Sequence, residues 1–142
     1  MSPTMHRSLL AAALLLFTVG CNEGPTEPSR TIPFTGALVK DNPAKLGTLS
    51  MQHTGNVRVT LVELKLTAAD GTVGPAPGGL FIGVGSGSSP LSCIADGSFV
   101  LAEGGLVSLG LEKGDYCLSF QGGLEIAEGT TITYSVTADI RD

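Results

Sequence analysis

A period-two alternation of apolar and polar residues recurs along this chain and constrains its fold more than any other feature. The cleanest example is residues 131–138, Thr-Ile-Thr-Tyr-Ser-Val-Thr-Ala, in which every second side chain is apolar. Successive side chains of a β-strand point to opposite faces of a sheet, so such a segment offers one apolar row and one polar row. No segment of useful length shows the 3.6-residue period of an amphipathic helix. The pattern predicts an all-β protein.

Alternating runs follow one another at a spacing of about ten residues and are separated by Gly, Asp, Asn and Pro. About eight strands with one apolar row each fit two facing antiparallel sheets, so we expect a β-sandwich over residues 34–142. Turns are predicted at Gly55-Asn56, at Asp96-Gly97 and at residues 112–115. The expected inward positions are Leu49, Met51, Leu80, Ile82, Val84, Phe99, Leu101, Val107, Leu109, Leu111, Tyr116, Leu118, Phe120, Ile132, Tyr134, Val136 and Ala138.

The run over residues 57–66 changes phase. Its first half keeps Val57, Val59 and Leu61 on one face, whereas its second half places Val62, Leu64 and Leu66 on the other. A strict period of two would send one of these sets to solvent. The pattern predicts a bulge or bend near Leu61-Val62, with a strand buried on both faces as the alternative.

The N-terminus carries a different signal. Arg7 precedes an uncharged apolar stretch over residues 9–19, and Cys21 follows directly after Gly20. A membrane-spanning helix needs about 20 apolar residues, so this stretch is too short for a span and fits the apolar region of a secretory signal peptide. The sequence therefore predicts export and removal of residues 1–20.

Residues 18–21, Thr-Val-Gly-Cys, resemble the lipobox of bacterial lipoproteins, from which Thr18 departs because the family prefers Leu, Val or Ile at that position. The resemblance implies that Cys21 receives acyl chains, including palmitate, and becomes the anchor of the mature protein. Asn22 instead of Asp favours the outer membrane by the same resemblance. An ordinary secretory signal is the alternative. Residues 21–33 are predicted to be the lipidated cysteine and a flexible tether, because Pro25, Pro28 and Pro33 oppose helix.

If Cys21 carries the lipid, Cys93 and Cys117 remain. Disulfides persist in exported proteins. A Cys93–Cys117 bond would close the loop between the two residues and would stabilise the folded domain by about 3 kcal/mol. Two buried free thiols are the alternative. Two cysteines are too few ligands for a structural metal site, so no metal and no cofactor are predicted.

Residues 106–120, Leu-Val-Ser-Leu-Gly-Leu-Glu-Lys-Gly-Asp-Tyr-Cys-Leu-Ser-Phe, together with residues 130–138, resemble the end of bacterial pre-peptidase C-terminal-type β-sandwich modules. A hairpin over residues 47–66 resembles their opening. The resemblance implies an accessory, non-catalytic module and carries over no functional residues.

Catalytic motifs are missing from the expected domain. His53 is its single histidine, at a predicted strand end, and is interpreted as a partly buried or turn-proximal side chain rather than a catalytic base. Residues 83–89 satisfy neither Gly-x-Ser-x-Gly nor Gly-x-Gly-x-x-Gly and indicate a flexible loop. The net charge of −5 and the lack of a basic cluster argue against nucleic-acid binding.

Phe81 lies out of phase with Leu80 and Ile82, beside the glycine-rich loop. Phe81, Ser86 and Ser88 are therefore the candidate interaction surface, and packing of Phe81 under the loop at 71–79 is the alternative. We expect a membrane-anchored extracytoplasmic lipoprotein with a structural or protein-interaction role, whose partner is an envelope protein or polymer. A glycan-binding module is the second hypothesis, opposed by the absence of Trp, and a hydrolase is the third.

Overall fold

The computed structural model describes residues 30–87 and 93–142, which form nine β-strands in two antiparallel sheets. The prediction of an all-β sandwich is confirmed. Within these ranges no helix is long and apolar enough to cross a membrane. The strands are β1 (Arg30–Leu38), β2 (Ala44–Met51), β3 (Gly55–Thr67), β4 (Val73–Pro75), β5 (Leu80–Ser86), β6 (Ile94–Leu101), β7 (Leu106–Leu111), β8 (Gly114–Gly122) and β9 (Thr131–Arg141).

The five-stranded sheet has the order β1-β9-β3-β4, with β7 pairing with the same edge of β3 as β4, and the four-stranded sheet has the order β2-β8-β5-β6. Because β2 and β3 belong to different sheets, the predicted hairpin over residues 47–66 is wrong. The chain crosses between the sheets at residues 52–54, and the predicted turn residues Gly55 and Asn56 are already paired within β3. A period-two pattern indicates which side chains face the core. These inward positions are the same whether two successive strands form a hairpin or lie in different sheets, so the pattern does not distinguish the two arrangements.

The core lies between the sheets and is filled by the inward rows of both. Phe120 of β8 stacks on Tyr134 of β9 with ring centroids 5.0 Å apart and packs at a tilt on Phe34 of β1 at 5.5 Å. These ring contacts join the two sheets. The buried apolar residues of the core are Leu38, Leu49, Met51, Val57, Val59, Leu61, Leu64, Leu80, Ile82, Leu101, Leu118, Phe120, Ile126, Ile132, Tyr134, Val136, Ala138 and Ile140.

The predicted bulge in β3 is confirmed. The register with β9 shifts between Leu61 and Glu63, and the intervening Val62 is 52% exposed. The turn between β6 and β7 satisfies backbone groups at the bulge: Leu61 N–H donates to a carbonyl of this turn, and Leu64 N–H donates to Glu103 Oε2 at 2.9 Å. The bulge therefore lets one strand bury Leu61 and Leu64 on the same side without leaving these donors unpaired.

The domain begins four residues earlier than expected. Residues 30–33, assigned to the tether, pair with β9, and Pro33 lies opposite Thr137. Pro33 lacks a backbone N–H, but β1 is an edge strand and tolerates the missing donor. Arg30 forms an ion pair with Asp142 at 3.2 Å and also donates to the backbone carbonyl of Ser50. These contacts join the start of β1 to the end of β2 and to Asp142.

A disulfide joins Cys93 to Cys117, as predicted, with Cα atoms 5.8 Å apart. Cys117 is fully buried although it alternates with the inward residues Tyr116 and Leu118, so its side chain is on the outer face of the four-stranded sheet. The bond ties the start of β6 to β8. The predicted turn at Asp96-Gly97 lies instead inside β6, where the register with β5 shifts.

Candidate binding cleft

An open cleft of about 530 Å³ lies at the end of the sandwich where β1 and β8 finish. The loop between β1 and β2 forms one wall, and the connection between β8 and β9 forms the other. A volume of this size falls in the range of about 300–1,000 Å³ that ligand sites occupy. The lining residues are Lys40, Pro43, Gln121, Gly122, Gly123, Leu124, Glu125 and Ile126.

The β1–β2 loop is a tight turn. Val39 and Asn42 exchange both backbone hydrogen bonds, at 3.2 and 3.0 Å, and this presents Lys40 at the tip. The ammonium of Lys40 is 3.9 Å from Glu128 of the opposite wall, and both side chains are largely exposed. Lys40 also lines a second cleft of about 210 Å³, together with Asp41 and residues 128–131. The two clefts therefore adjoin at Lys40.

The β8–β9 wall is held in place by two contacts with the rest of the domain. Gly123 N–H donates to Gly79 O at 3.0 Å, and the side chain of Ile126 is buried in the core. A side chain at position 123 would overlap the Gly78 carbonyl, so glycine is required for this close approach. Between these anchor points Leu124 is 56% exposed. The wall is therefore fixed at both ends while its middle faces solvent.

Apolar side chains continue from the cleft onto the outer face of the four-stranded sheet. Gln121, which lines the cleft, pairs with Phe81 of β5, and Phe81 pairs with Val100 of β6. Phe81 is 40% exposed and Val100 48% exposed. Phe81, Val100 and Leu124 are called the apolar rim below.

The structure does not bring the three residues of the predicted surface together. Ser86 is at the other end of β5, where it pairs with Tyr116 and Ile94. Ser88 and the predicted lipidation site Cys21 lie outside the described residues. Of the two described residues of that surface, Phe81 lies beside the cleft and Ser86 does not.

Charges around the cleft are unevenly balanced. Lys40 contacts Glu128, but Glu125 and Asp41 take part in none of the ion pairs of residues 30–87 and 93–142. Burial raises the pKa of Tyr134, and hydrogen bonds from Thr72 lower the pKa of Asp70, but both groups lie outside the cleft lining. Glu125 in the cleft and Asp41 in the adjoining one thus lack a cationic partner among the described residues.

Groups suited to catalysis are not concentrated at the cleft. His53 is exposed in the bend between β2 and β3, at the end of the sandwich where β1 begins. In the part of the chain that the structure covers, no three His, Cys, Asp or Glu side chains are placed to hold a metal ion. The arrangement can offer backbone groups, carboxylates and an apolar rim.

The cleft was not predicted from the sequence, although the sequence marks the two connections that form it. Gly122, Gly123 and Gly129 mark the β8–β9 connection, and Lys40 and Pro43 mark a break after β1. That these two connections lie side by side follows from the pairing of β1 with β9 and of β2 with β8. Alternation alone carries no information on which strands pair.

The chain is similar to the crystal structure of Aeromonas hydrophila PliG, a periplasmic lysozyme inhibitor of g-type lysozyme. The sequences are 15% identical, the match covers 83% of this chain and 90% of that chain, and the TM-score is 0.48. A scan against protein-family models finds no match, and neither does a search of curated proteins. The resemblances to lipoproteins and to pre-peptidase C-terminal-type modules remain predictions.

Proposed function

We propose that this protein is an exported, lipid-anchored, non-catalytic domain that binds a protein partner through the cleft and the apolar rim. One observation carries the proposal: an open cleft of about 530 Å³ adjoins exposed Leu124, Phe81 and Val100. Aromatic and aliphatic side chains next to a recess are typical of protein-binding surfaces, in which a few apolar anchors contribute most of the affinity.

A protein fits this surface better than a glycan. Glycan sites rely on broad aromatic platforms, but Phe81 is the one aromatic side chain of the rim and the chain has no Trp. The rim instead offers two aliphatic side chains that an apolar anchor of a partner could cover.

Anchoring through Cys21 would place the cleft away from the membrane. The tether joins β1 at Arg30, and the cleft lies past Leu38 at the far end of this strand. At about 3.3 Å per residue, the nine residues of β1 separate these points by roughly 30 Å. The cleft would then face partners that approach from outside the membrane surface.

The binding proposal is tested by capturing the partner from the native envelope with the tethered protein. Leu124→Asp places a charge in the rim and should abolish capture of the specific partner. Leu106→Asp is a matched control, because Leu106 is also 56% exposed but lies on β7 of the other sheet. Equal loss of capture by both variants would refute the assignment to the cleft, and capture unaffected by Leu124→Asp would refute it as well.

The anchoring proposal has its own test. Cys21→Ser removes the sulfur that would carry the acyl chains, so the variant should leave the membrane fraction and appear in the soluble extracytoplasmic fraction. Ser8→Ala, within the signal segment, should leave fractionation unchanged. Retention of the Cys21→Ser variant in membranes would exclude lipidation at this residue.

A further inference from the structure

The cleft wall between Gly123 and Ala127 offers backbone groups that the domain itself does not use. Within the described ranges, the N–H groups of the exposed residues Leu124 and Glu125 donate to no backbone or side-chain acceptor. Both residues line the cleft. Water satisfies such groups in the free protein, and another polypeptide backbone, which alternates donors and acceptors, can replace that water.

The fixed ends of this wall favour binding of such a backbone. Ile126 is buried in the core and Gly123 is hydrogen-bonded to Gly79, so the segment between them has little freedom to lose. A partner that binds a preorganised segment avoids part of the entropy cost of ordering it. The opposite wall contains Pro43. Because proline has no backbone N–H, this residue does not compete with the β8–β9 wall for the carbonyl groups of a bound main chain.

Charge indicates which peptide fits. Glu125 lines the cleft and Asp41 lines the adjoining one, and neither is neutralised by a cation of the described residues. Lys40, the cation between them, is in contact with Glu128. A basic segment would complement these carboxylates, whereas an acidic segment would be repelled.

We propose that the cleft binds an extended, basic and apolar segment of the partner protein, whose main-chain carbonyls accept from the N–H groups of Leu124 and Glu125 while its apolar side chains cover the rim. This inference rests on the proposed function and specifies the partner's chemistry: a main chain for the unpaired backbone groups, cations for Glu125 and Asp41, and apolar side chains for Leu124 and Phe81.

The test uses the full exported protein, labelled with ¹⁵N, and the probe peptide acetyl-Lys-Val-Lys-Val-Lys-amide. The amide signals of residues 124–126 of the protein should shift when the basic probe is titrated in. The acidic probe acetyl-Glu-Val-Glu-Val-Glu-amide should bind at least about tenfold more weakly than the basic probe. A basic probe in which ester bonds replace the amides at both valines has weaker carbonyl acceptors for the N–H groups of the cleft wall and should also bind about tenfold more weakly. Glu125→Lys should weaken the basic probe by a similar factor, and Leu106→Asp should leave its affinity unchanged.

Several results would overturn the inference. Equal binding of the ester probe would show that main-chain pairing contributes nothing, and shifts confined to other residues would place the peptide elsewhere. No binding of the basic probe up to about 1 mM would also count against it. If the probe fails but Leu124→Asp still abolishes partner capture, the cleft binds a protein by other chemistry, and the proposed function stands without this inference.

Discussion

Substitution of Gly47 by Ala tests whether the contact between the edges of the two sheets is as tight as the structure indicates. Gly47 is in β2, and a Cβ added there would lie 2.5 Å from Cδ1 of Phe34, on β1 of the other sheet. Carbon atoms in contact prefer separations of about 3.5–4.0 Å, so the Phe34 ring would have to move by about 1 Å. The ring has little room for this movement because it packs on Phe120, which is 1% exposed.

The expected cost follows from the two responses open to Phe34. Its ring either presses further into Phe120 or swings outward and loses that contact, and overpacking of this kind costs about 1–3 kcal/mol. Replacing Gly by Ala also restricts the unfolded chain, and this effect alone raises the free energy of unfolding by about 0.4–1 kcal/mol. We therefore expect the free energy of unfolding to fall by about 1–2 kcal/mol.

Gly74 provides a matched control. It is also a strand residue, in β4, but a Cβ added there meets no atom within 4 Å. Gly74→Ala should therefore leave the free energy of unfolding unchanged or raise it by up to about 1 kcal/mol. Urea unfolding followed by circular dichroism measures both variants, with a midpoint lowered by roughly 0.5–1 M for Gly47→Ala. A Gly47→Ala variant as stable as Gly74→Ala would refute the close packing of Phe34 across the two sheets.

Three further predictions concern the disulfide, the bulge and a buried phenol. Replacing both Cys93 and Cys117 by Ala should lower the free energy of unfolding by about 3 kcal/mol, and reductant should destabilise the parent but not the variant. Glu103→Ala leaves Leu64 N–H without its acceptor and should cost about 1–2 kcal/mol, whereas Glu103→Gln, which keeps an oxygen there, should cost less in the same urea assay. Burial raises the pKa of Tyr134 above 10.0, so an unfolded chain loses this proton first. The resulting stability is complete below pH 10.0 and is lost as the pH rises toward the folded pKa, and Tyr134→Phe should remove this contribution in alkaline unfolding curves.

Local sequence pattern was sufficient for most of the sandwich. The inward rows of β5, β8 and β9 were predicted correctly because each strand buries one face and exposes the other. The phase change at Leu61-Val62 also located the bulge, since both halves of β3 must serve the same core. The disulfide could be anticipated because the signal segment predicts export, and paired cysteines stay oxidised in exported proteins.

The pairing of the strands could not be predicted from the sequence pattern. Gly55-Asn56 and Asp96-Gly97 are typical turn dipeptides, yet both lie inside strands. Gly55 and Asn56 pair with β7, and Asp96-Gly97 lies where the register between β5 and β6 shifts, so strand pairing outweighs the local turn preference at both places. Pro33 was assigned to the tether by the same local reasoning, although an edge strand accommodates it. The cleft depends on which loops the pairing brings together, so only one of its rim residues, Phe81, could be singled out in advance.

The pairing of β1 with β9 also determines how the domain would bear tension. The proposed membrane anchor would pull on the chain at Arg30, where β1 begins, and the proposed partner, bound at the β8–β9 wall of the cleft, would pull just before Thr131, where β9 begins. Because the two strands are antiparallel, these forces run along the strands in opposite directions and shear the ladder instead of unzipping it. The nine paired residues of β1 then resist together, so the anchored edge strand sets the load that the domain transmits before it unfolds.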